Sequence, residues 1–183
     1  MNGIGSLLWP RRAVLLGLTA GLLGACSLFE KSAPPPCPHV AMLDEAKSLS
    51  LYREGAGRDL TDVTFEGKLG SVQASCEVSS DAGRMTIESK VALVIEATRG
   101  PAGQGDALTL PYFIAIVDPD KHILAKQNFE AKLAFTTSKI RTAGIEETEQ
   151  TIPVSPRYFA GDYEILIGFQ LSHEQLQDQR ARH

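Results

Sequence analysis

The sequence is poor in the residues that build catalytic and metal sites, since its 183 residues include three cysteines and four histidines. No GxSxG, HExxH, GxGxxG, CxxC or phosphate-binding loop is present. None of the histidines (His39, His122, His173 and His183) has a second ligand at metal spacing. We therefore expect solvated histidines, no metal, no cofactor and no enzymatic activity.

Basic residues and long apolar runs are also scarce. Residues 1–25 hold two of the 18 lysines and arginines and none of the 22 acidic residues, so the remaining 158 residues carry a net charge of −6. Nucleic-acid binding requires a basic face, and we expect no nucleic-acid partner. No later apolar run approaches the roughly 20 residues that a membrane-spanning helix needs.

The first 26 residues are organised like a secretory signal. Arg11 and Arg12 precede an apolar run over residues 13–23, which is too short to span a bilayer and is followed by small residues. The sequence Leu23-Gly24-Ala25-Cys26 resembles the lipobox of Gram-negative bacterial lipoproteins. The resemblance implies that the type II signal peptidase cleaves before Cys26. It also implies that the Cys26 thiol carries diacylglycerol, with fatty acids such as palmitate.

The residues beside the lipobox bear on the destination and on the secretion route. The residue that follows Cys26 is Ser27 and not an aspartate. By the same resemblance this implies sorting to the outer membrane, facing the periplasm, in preference to the inner membrane. The Arg11-Arg12 pair is similar to a twin-arginine signal but lacks the preceding Ser or Thr. The general secretory route is therefore favoured, and the twin-arginine route stays open.

Cys37 and Cys76 remain once Cys26 is lipidated. An even number of cysteines in an oxidising compartment favours a disulfide, with a metal site or a redox pair as the alternatives. Residues 26–38 include four prolines, and proline-rich segments extend by about 3.1 Å per residue. We predict a lipidated tether over residues 26–38 and a single domain over residues 39–183.

Alternation of apolar and polar residues dominates that domain and predicts strands. The alternation is clear over residues 61–69, 72–78, 85–98, 123–135 and 163–171. Residues 111–117 are apolar on both faces, as in a central strand, and residues 44–52 fit either a helical turn or a strand. A weaker strand over residues 142–152 carries Glu146, Glu147 and Glu149, which suit a sheet edge.

Gly70-Ser71 separates two of the alternating stretches. A two-residue loop that begins with glycine is typical of a type II′ hairpin turn, so we predict a hairpin there. Its register sets Leu69 opposite Val72 and places Cys76 on the inner face, in a buried disulfide.

Seven or eight antiparallel strands with little helix predict an all-β fold. An antiparallel β-sandwich is favoured, and a small closed β-barrel is the alternative. Residues 160–167 (Ala-Gly-Asp-Tyr-Glu-Ile-Leu-Ile) resemble the tyrosine-corner strand of immunoglobulin-like and fibronectin-type-III domains, which implies an immunoglobulin-like sandwich. Ser172 and Gln175 fit a capping box and predict a short helix that ends near Arg180.

No catalytic constellation emerges, because a turn explains Asp118 and Asp120. We therefore expect a membrane-anchored periplasmic lipoprotein that acts as a non-enzymatic scaffold or accessory subunit of a cell-envelope complex. It would bind a protein partner through a sheet face or edge and the membrane through Cys26. The alternative is a module that binds a small periplasmic ligand or lipid in an apolar pocket. An enzyme of unrecognised type is the third hypothesis.

Overall fold

The described part of the chain folds into eight strands and a short C-terminal helix. A computed structural model describes residues 35–55 and 58–181. The strands are β1 (His39–Met42), β2 (Ser48–Tyr52), β3 (Val63–Asp81), β4 (Arg84–Arg99), β5 (Ala107–Val117), β6 (Ile123–Ala134), β7 (Arg141–Val154) and β8 (Glu164–Phe169), and the helix is α1 (His173–Ala181). The predicted signal, Cys26 and the part of the tether before Pro35 lie outside the described residues.

The strands divide into two open sheets of four. Sheet I has the order β1-β8-β5-β6 and sheet II the order β2-β3-β4-β7. All pairings are antiparallel except that of β1 with β8, which is parallel. The predicted all-β sandwich is confirmed, and the barrel alternative is wrong because the strands form two separate sheets. β5 is a central strand and β7 an edge strand, as predicted.

The core lies between the two sheets and is built by the inward half of each alternating strand. It includes Ile87, Leu93 and Ile95 of β4, Leu110 and Ile114 of β5, and Ile165, Ile167 and Phe169 of β8, all at most 2% exposed. Burying one such side chain stabilises the fold by roughly 1.5–3 kcal/mol. The sandwich therefore depends on this shared face and needs no cofactor to form a core.

β3 is a single long strand, so the predicted hairpin at Gly70-Ser71 is wrong. Both halves of β3 pair with β4, and the register shifts between Leu69 and Val72. The extra residues form a bulge, which moves the inward positions from odd to even numbers. The break in the alternation that resembled a turn is this bulge. The true turn follows Asp81, where Ala82 and Gly83 both have positive φ (48° and 79°).

The connection from β7 to β8 is fixed by Tyr163, which is 1% exposed. Its hydroxyl accepts a hydrogen bond of 2.8 Å from the backbone N–H of Ser155, just after β7. This bond ties the end of a sheet II strand to the start of a sheet I strand. It has the geometry of a tyrosine corner, in which a tyrosine hydroxyl bonds to backbone a few residues upstream.

The helix α1 starts at the predicted capping box. The N–H of Ser172 donates to Oε1 of Gln175 at 2.8 Å, and the N–H of Gln175 donates to Oγ of Ser172 at 3.2 Å. Near its other end, buried Gln179 exchanges hydrogen bonds with Ser48 of β2. The helix is therefore fastened to the edge of sheet II. Within residues 35–55 and 58–181, no helix has the length and hydropathy to cross a membrane.

The sandwich has two distinct ends, which the register defines. The tether end carries residues 35–38, the turn at residues 118–122 and the segment 155–162, because His39 and Val117 both pair with Glu164. The distal end carries the connections 100–106 and 135–140, and α1 is fastened beside them to β2. Residues 44–52, left open by the sequence, contain both a 3₁₀ turn (Asp44–Ala46) and β2.

Candidate interaction surface

The structure brings two of the three predicted site residues together. Cys37 and Cys76 form a disulfide with an S–S distance of 2.03 Å, whereas Cys26 lies outside the described residues. The bond joins the segment before β1, in sheet I, to the middle of β3, in sheet II. It therefore fixes the last residues of the tether to both sheets.

The disulfide lies at the margin of the sandwich and not in the core, which corrects the sequence-based expectation. Cys76 is on the inner face, opposite buried Ser89 of β4, but it is only half-buried, and Cys37 is exposed. The physical reason is that β3 is longer than the sheet that faces it. The inward-facing Ala74 of β3 is exposed as well, so sheet I covers this part of β3 incompletely.

The outward residues of sheet II form a broad surface, called here the sheet II face. They alternate with the buried ones, so that Glu66 and Lys68 of β3 flank buried Gly67. In the distal half of this face lies an open depression of about 880 Å³. Gln179 of α1 lines one side of it and Lys139 of the β6–β7 connection lines the other. The depression is therefore a groove that extends between the α1 edge and the β7 edge of sheet II.

The charges in this groove are mixed. Its basic and acidic lining residues are Lys68, Lys139, Arg141, Glu66 and Glu96. Three positive groups against two negative ones give the distal half a slight excess of positive charge. Small uncharged residues, including Ser50 and Ala143, fill the spaces between them. Because these residues are small, the bottom of the groove leaves room for the side chains of a partner.

The tether half of the same face is acidic around one lysine. An open depression of about 590 Å³ lies there, lined by Lys90, Glu147 and Glu149. Nζ of Lys90 is 3.1 Å from Oε1 of Glu149. The hydrogen bond and charge of Glu149, together with the charges of Glu88 and Glu77, raise the pKa of Lys90. Lys90 is therefore a cation at any physiological pH, and the carboxylates around it outnumber it.

Two of these carboxylates oppose each other directly. Glu77 of β3 and Glu88 of β4 are register partners, and both are exposed. Like charges opposite each other destabilise a pair of strands by some tenths of a kcal/mol (roughly 0.2–1 kcal/mol for a cross-strand pair). Natural sequences break such local rules mainly at functional positions. A basic group of a partner placed between Glu77 and Glu88 would remove this repulsion.

The turn between β5 and β6 holds a second cluster of ionisable groups. Among residues 35–55 and 58–181, Asp118, Asp120 and His122 are the one set of three potential metal ligands, with ligand atoms within 4.8 Å of one another. The conclusion that no histidine has a second ligand nearby is therefore wrong for His122. The signal was present in the sequence, because a turn brings residues two and four positions apart together.

The carboxylates of this cluster are nevertheless used by the turn itself. The N–H of His122 donates to Oδ1 of Asp118 at 2.8 Å, and its Nδ1 lies 3.2 Å from Oδ2. The hydroxyl of Tyr158 donates to Asp120, and Lys121 closes the turn with a positive φ of 68°. These contacts agree with the turn that the sequence predicts. His39 and His173 are exposed, as expected, and His183 lies outside the described residues.

Comparison with known proteins adds no relationship to these observations. No protein-family model matches the chain. Neither a curated protein nor a solved structure matches it.

Proposed function

We propose that the protein is a lipid-anchored periplasmic protein that holds a protein partner on the sheet II face. It would serve as a non-enzymatic scaffold or accessory subunit of an envelope complex, anchored through Cys26 in the outer membrane. The lipobox supports the anchor. The Cys37–Cys76 disulfide supports an oxidising compartment, where such bonds persist.

The observation that carries the proposal is the combination of two open depressions on one continuous sheet face. β3, β4 and β7 run side by side for at least 14 residues, which is about 46 Å at ~3.3 Å per residue. Three strands at ~4.8 Å spacing give an area on the order of 650 Å² before β2 and the borders are added. Specific protein interfaces bury roughly 600–1,000 Å² on each partner. The face is thus large enough for one.

The charge pattern of the face defines the kind of partner. The tether half presents Glu77, Glu88, Glu147 and Glu149 around Lys90, whereas the distal half has a slight positive excess. Complementary charges across an interface raise the association rate and set the orientation of binding. The partner would therefore present basic groups to the tether half and acidic groups to the distal half.

Binding of a small ligand is the weaker hypothesis on this geometry. Small-molecule sites bury most of the ligand in a concave and mainly apolar pocket. The two depressions on the sheet II face are open, and charged residues line both. A flat partner surface fits such an area better than a small molecule does.

Photocrosslinking in intact cells tests the proposal. A photoreactive side chain is placed at Ala92 or Ala143 on the sheet II face, and at Thr109 or Lys132 on the outer side of sheet I as matched controls. We expect the same protein adduct from both sheet II positions and from neither control. Adducts of equal yield from both sheets, or no adduct from sheet II, would contradict the proposal. Glu88→Lys should reduce the adduct by reversing a charge that the partner meets.

A further inference from the structure

Large exposed apolar side chains concentrate at the tether end of the sandwich. Of the seven in the described residues, four lie at this end: Met85, Ile123, Leu124 and Phe159. Phe159 is 75% exposed and Ile123 is 64% exposed. Exposed apolar residues scattered singly need no explanation, whereas their accumulation at one end makes that end the candidate contact surface.

The exposure of Phe159 is built into the fold. Its N–H donates to Oδ2 of Asp162 at 2.8 Å, and its carbonyl oxygen accepts from the N–H of Asp162 at 3.1 Å. The next residue, Ala160, is buried, and the neighbouring Tyr158 is held by Asp120. The backbone therefore presents the ring outward from a closed turn.

Beside Phe159 runs the segment through which the domain is connected to Cys26. Pro36 packs so closely on Gly161 that a Cβ there would lie 2.8 Å from Cγ of Pro36. The N–H of His39 donates to the carbonyl oxygen of Tyr163 at 3.0 Å. The disulfide of Cys37 fixes the same segment to β3. Residues 36–39 are thus fixed at the end that carries the apolar group.

Covalent geometry limits the distance to the anchor. Pro35 lies nine positions after Cys26, and a fully extended chain covers at most about 3.3–3.6 Å per residue. The tether end is therefore held within about 30 Å of a lipid on Cys26. Once Cys26 is anchored, a second contact between the domain and the same membrane is intramolecular. Such a contact therefore needs little affinity of its own.

We propose that the tether end is a membrane-contacting surface, in which Phe159, Ile123 and Leu124 enter the lipid headgroup region and orient the sandwich upright. The exposed cations Arg84 and Arg157 lie at this end together with the carboxylates of Asp118 and Asp120, so the contact rests on the apolar side chains and not on a net charge. An open depression of about 630 Å³ there is lined by Leu124, Val154 and Tyr158, and also by Asp118, Asp120 and Arg157. This inference rests on the proposed lipid anchor, and it leaves the sheet II face free for the partner.

A fluorescence experiment tests it on the lipidated protein purified from its own membrane. The one tryptophan of the sequence, Trp9, lies in the segment that cleavage before Cys26 would remove, so the mature protein gives a background without an indole. Phe159→Trp then reports on the tether end. The matched control is Ile140→Trp, at a position 64% exposed at the distal end. Both proteins are reconstituted into vesicles of phosphatidylethanolamine and phosphatidylglycerol that contain a brominated lipid, and flotation is measured alongside emission.

We expect both proteins to float, with emission shifted to the blue and quenched for Phe159→Trp and unchanged for Ile140→Trp. Floating proteins with neither indole quenched, or with both quenched equally, would overturn the upright contact while leaving the anchor intact. Proteins that do not float would overturn the anchor and this inference together. A second measurement places the indole at the same surface with Leu124→Trp. Adding Phe159→Ser to that protein should weaken the quenching of the indole.

Discussion

At the scale of single residues, the hydroxyl of Tyr163 has one specific task, which is to accept the Ser155 N–H across the β7–β8 connection. Tyr163→Phe keeps the ring and leaves that N–H without its partner. A fully buried unpaired donor costs about 1–3 kcal/mol; this N–H is partly buried, so we expect the free energy of unfolding in urea to fall by up to that amount. Tyr158→Phe, at an exposed hydrogen bond to Asp120, is the control and should change stability far less. Equal stability of the two variants would contradict this role.

The second residue-scale prediction concerns pH. Burial, with a contribution from Glu146, raises the pKa of Tyr112 to about 12 from 10.0. The unfolded chain loses this proton near pH 10 whereas the folded chain keeps it, so the stability present below pH 10 is lost as the pH rises towards 12. Urea unfolding across this range should show the loss in the wild type and a shallower loss in Tyr112→Phe. Identical slopes would contradict the assignment.

At the scale of elements, β7 is an edge strand whose inner side is polar. Glu146 is half-buried and lies opposite Leu93, which is 1% exposed. An inward charge on an edge strand discourages pairing with another chain. We expect Glu146→Val to increase self-association in sedimentation velocity. Glu147→Val, an exposed outward position on the same strand, is the matched control. A monomeric Glu146→Val protein, or equal association of both, would show that Glu146 has no such role.

The elements also show where sequence reasoning succeeds and where it fails. Alternation located β4, β6 and β8, because the most buried side chains of each recur mainly at every second residue. It misread β3, because a bulge and a turn interrupt the alternation in the same way, and only pairing with β4 distinguishes them. The groove on sheet II could not be predicted from the sequence for a related reason. It is assembled from strands far apart in the sequence, with α1 and the β6–β7 connection as borders.

At the scale of the whole molecule, the Cys37–Cys76 disulfide closes a loop with a sequence separation of 39. In the chain-entropy model a loop of this length stabilises the fold by up to about 4 kcal/mol. We expect Cys37→Ser with Cys76→Ser to lower the free energy of unfolding towards that limit. The double serine variant avoids a free thiol. A loss below about 1 kcal/mol would contradict a stapling role.

The proposed attachment of the sandwich to a membrane through Cys26 is tested most directly by the mass of the protein purified from its own membrane fraction. We expect a chain that begins at Cys26, with residues 1–25 removed, and a mass above that of the 158-residue polypeptide by diacylglycerol and fatty acid. Cys26→Ala should abolish both the added mass and the cleavage. A mature chain that starts elsewhere, or that carries no lipid on Cys26, would contradict it.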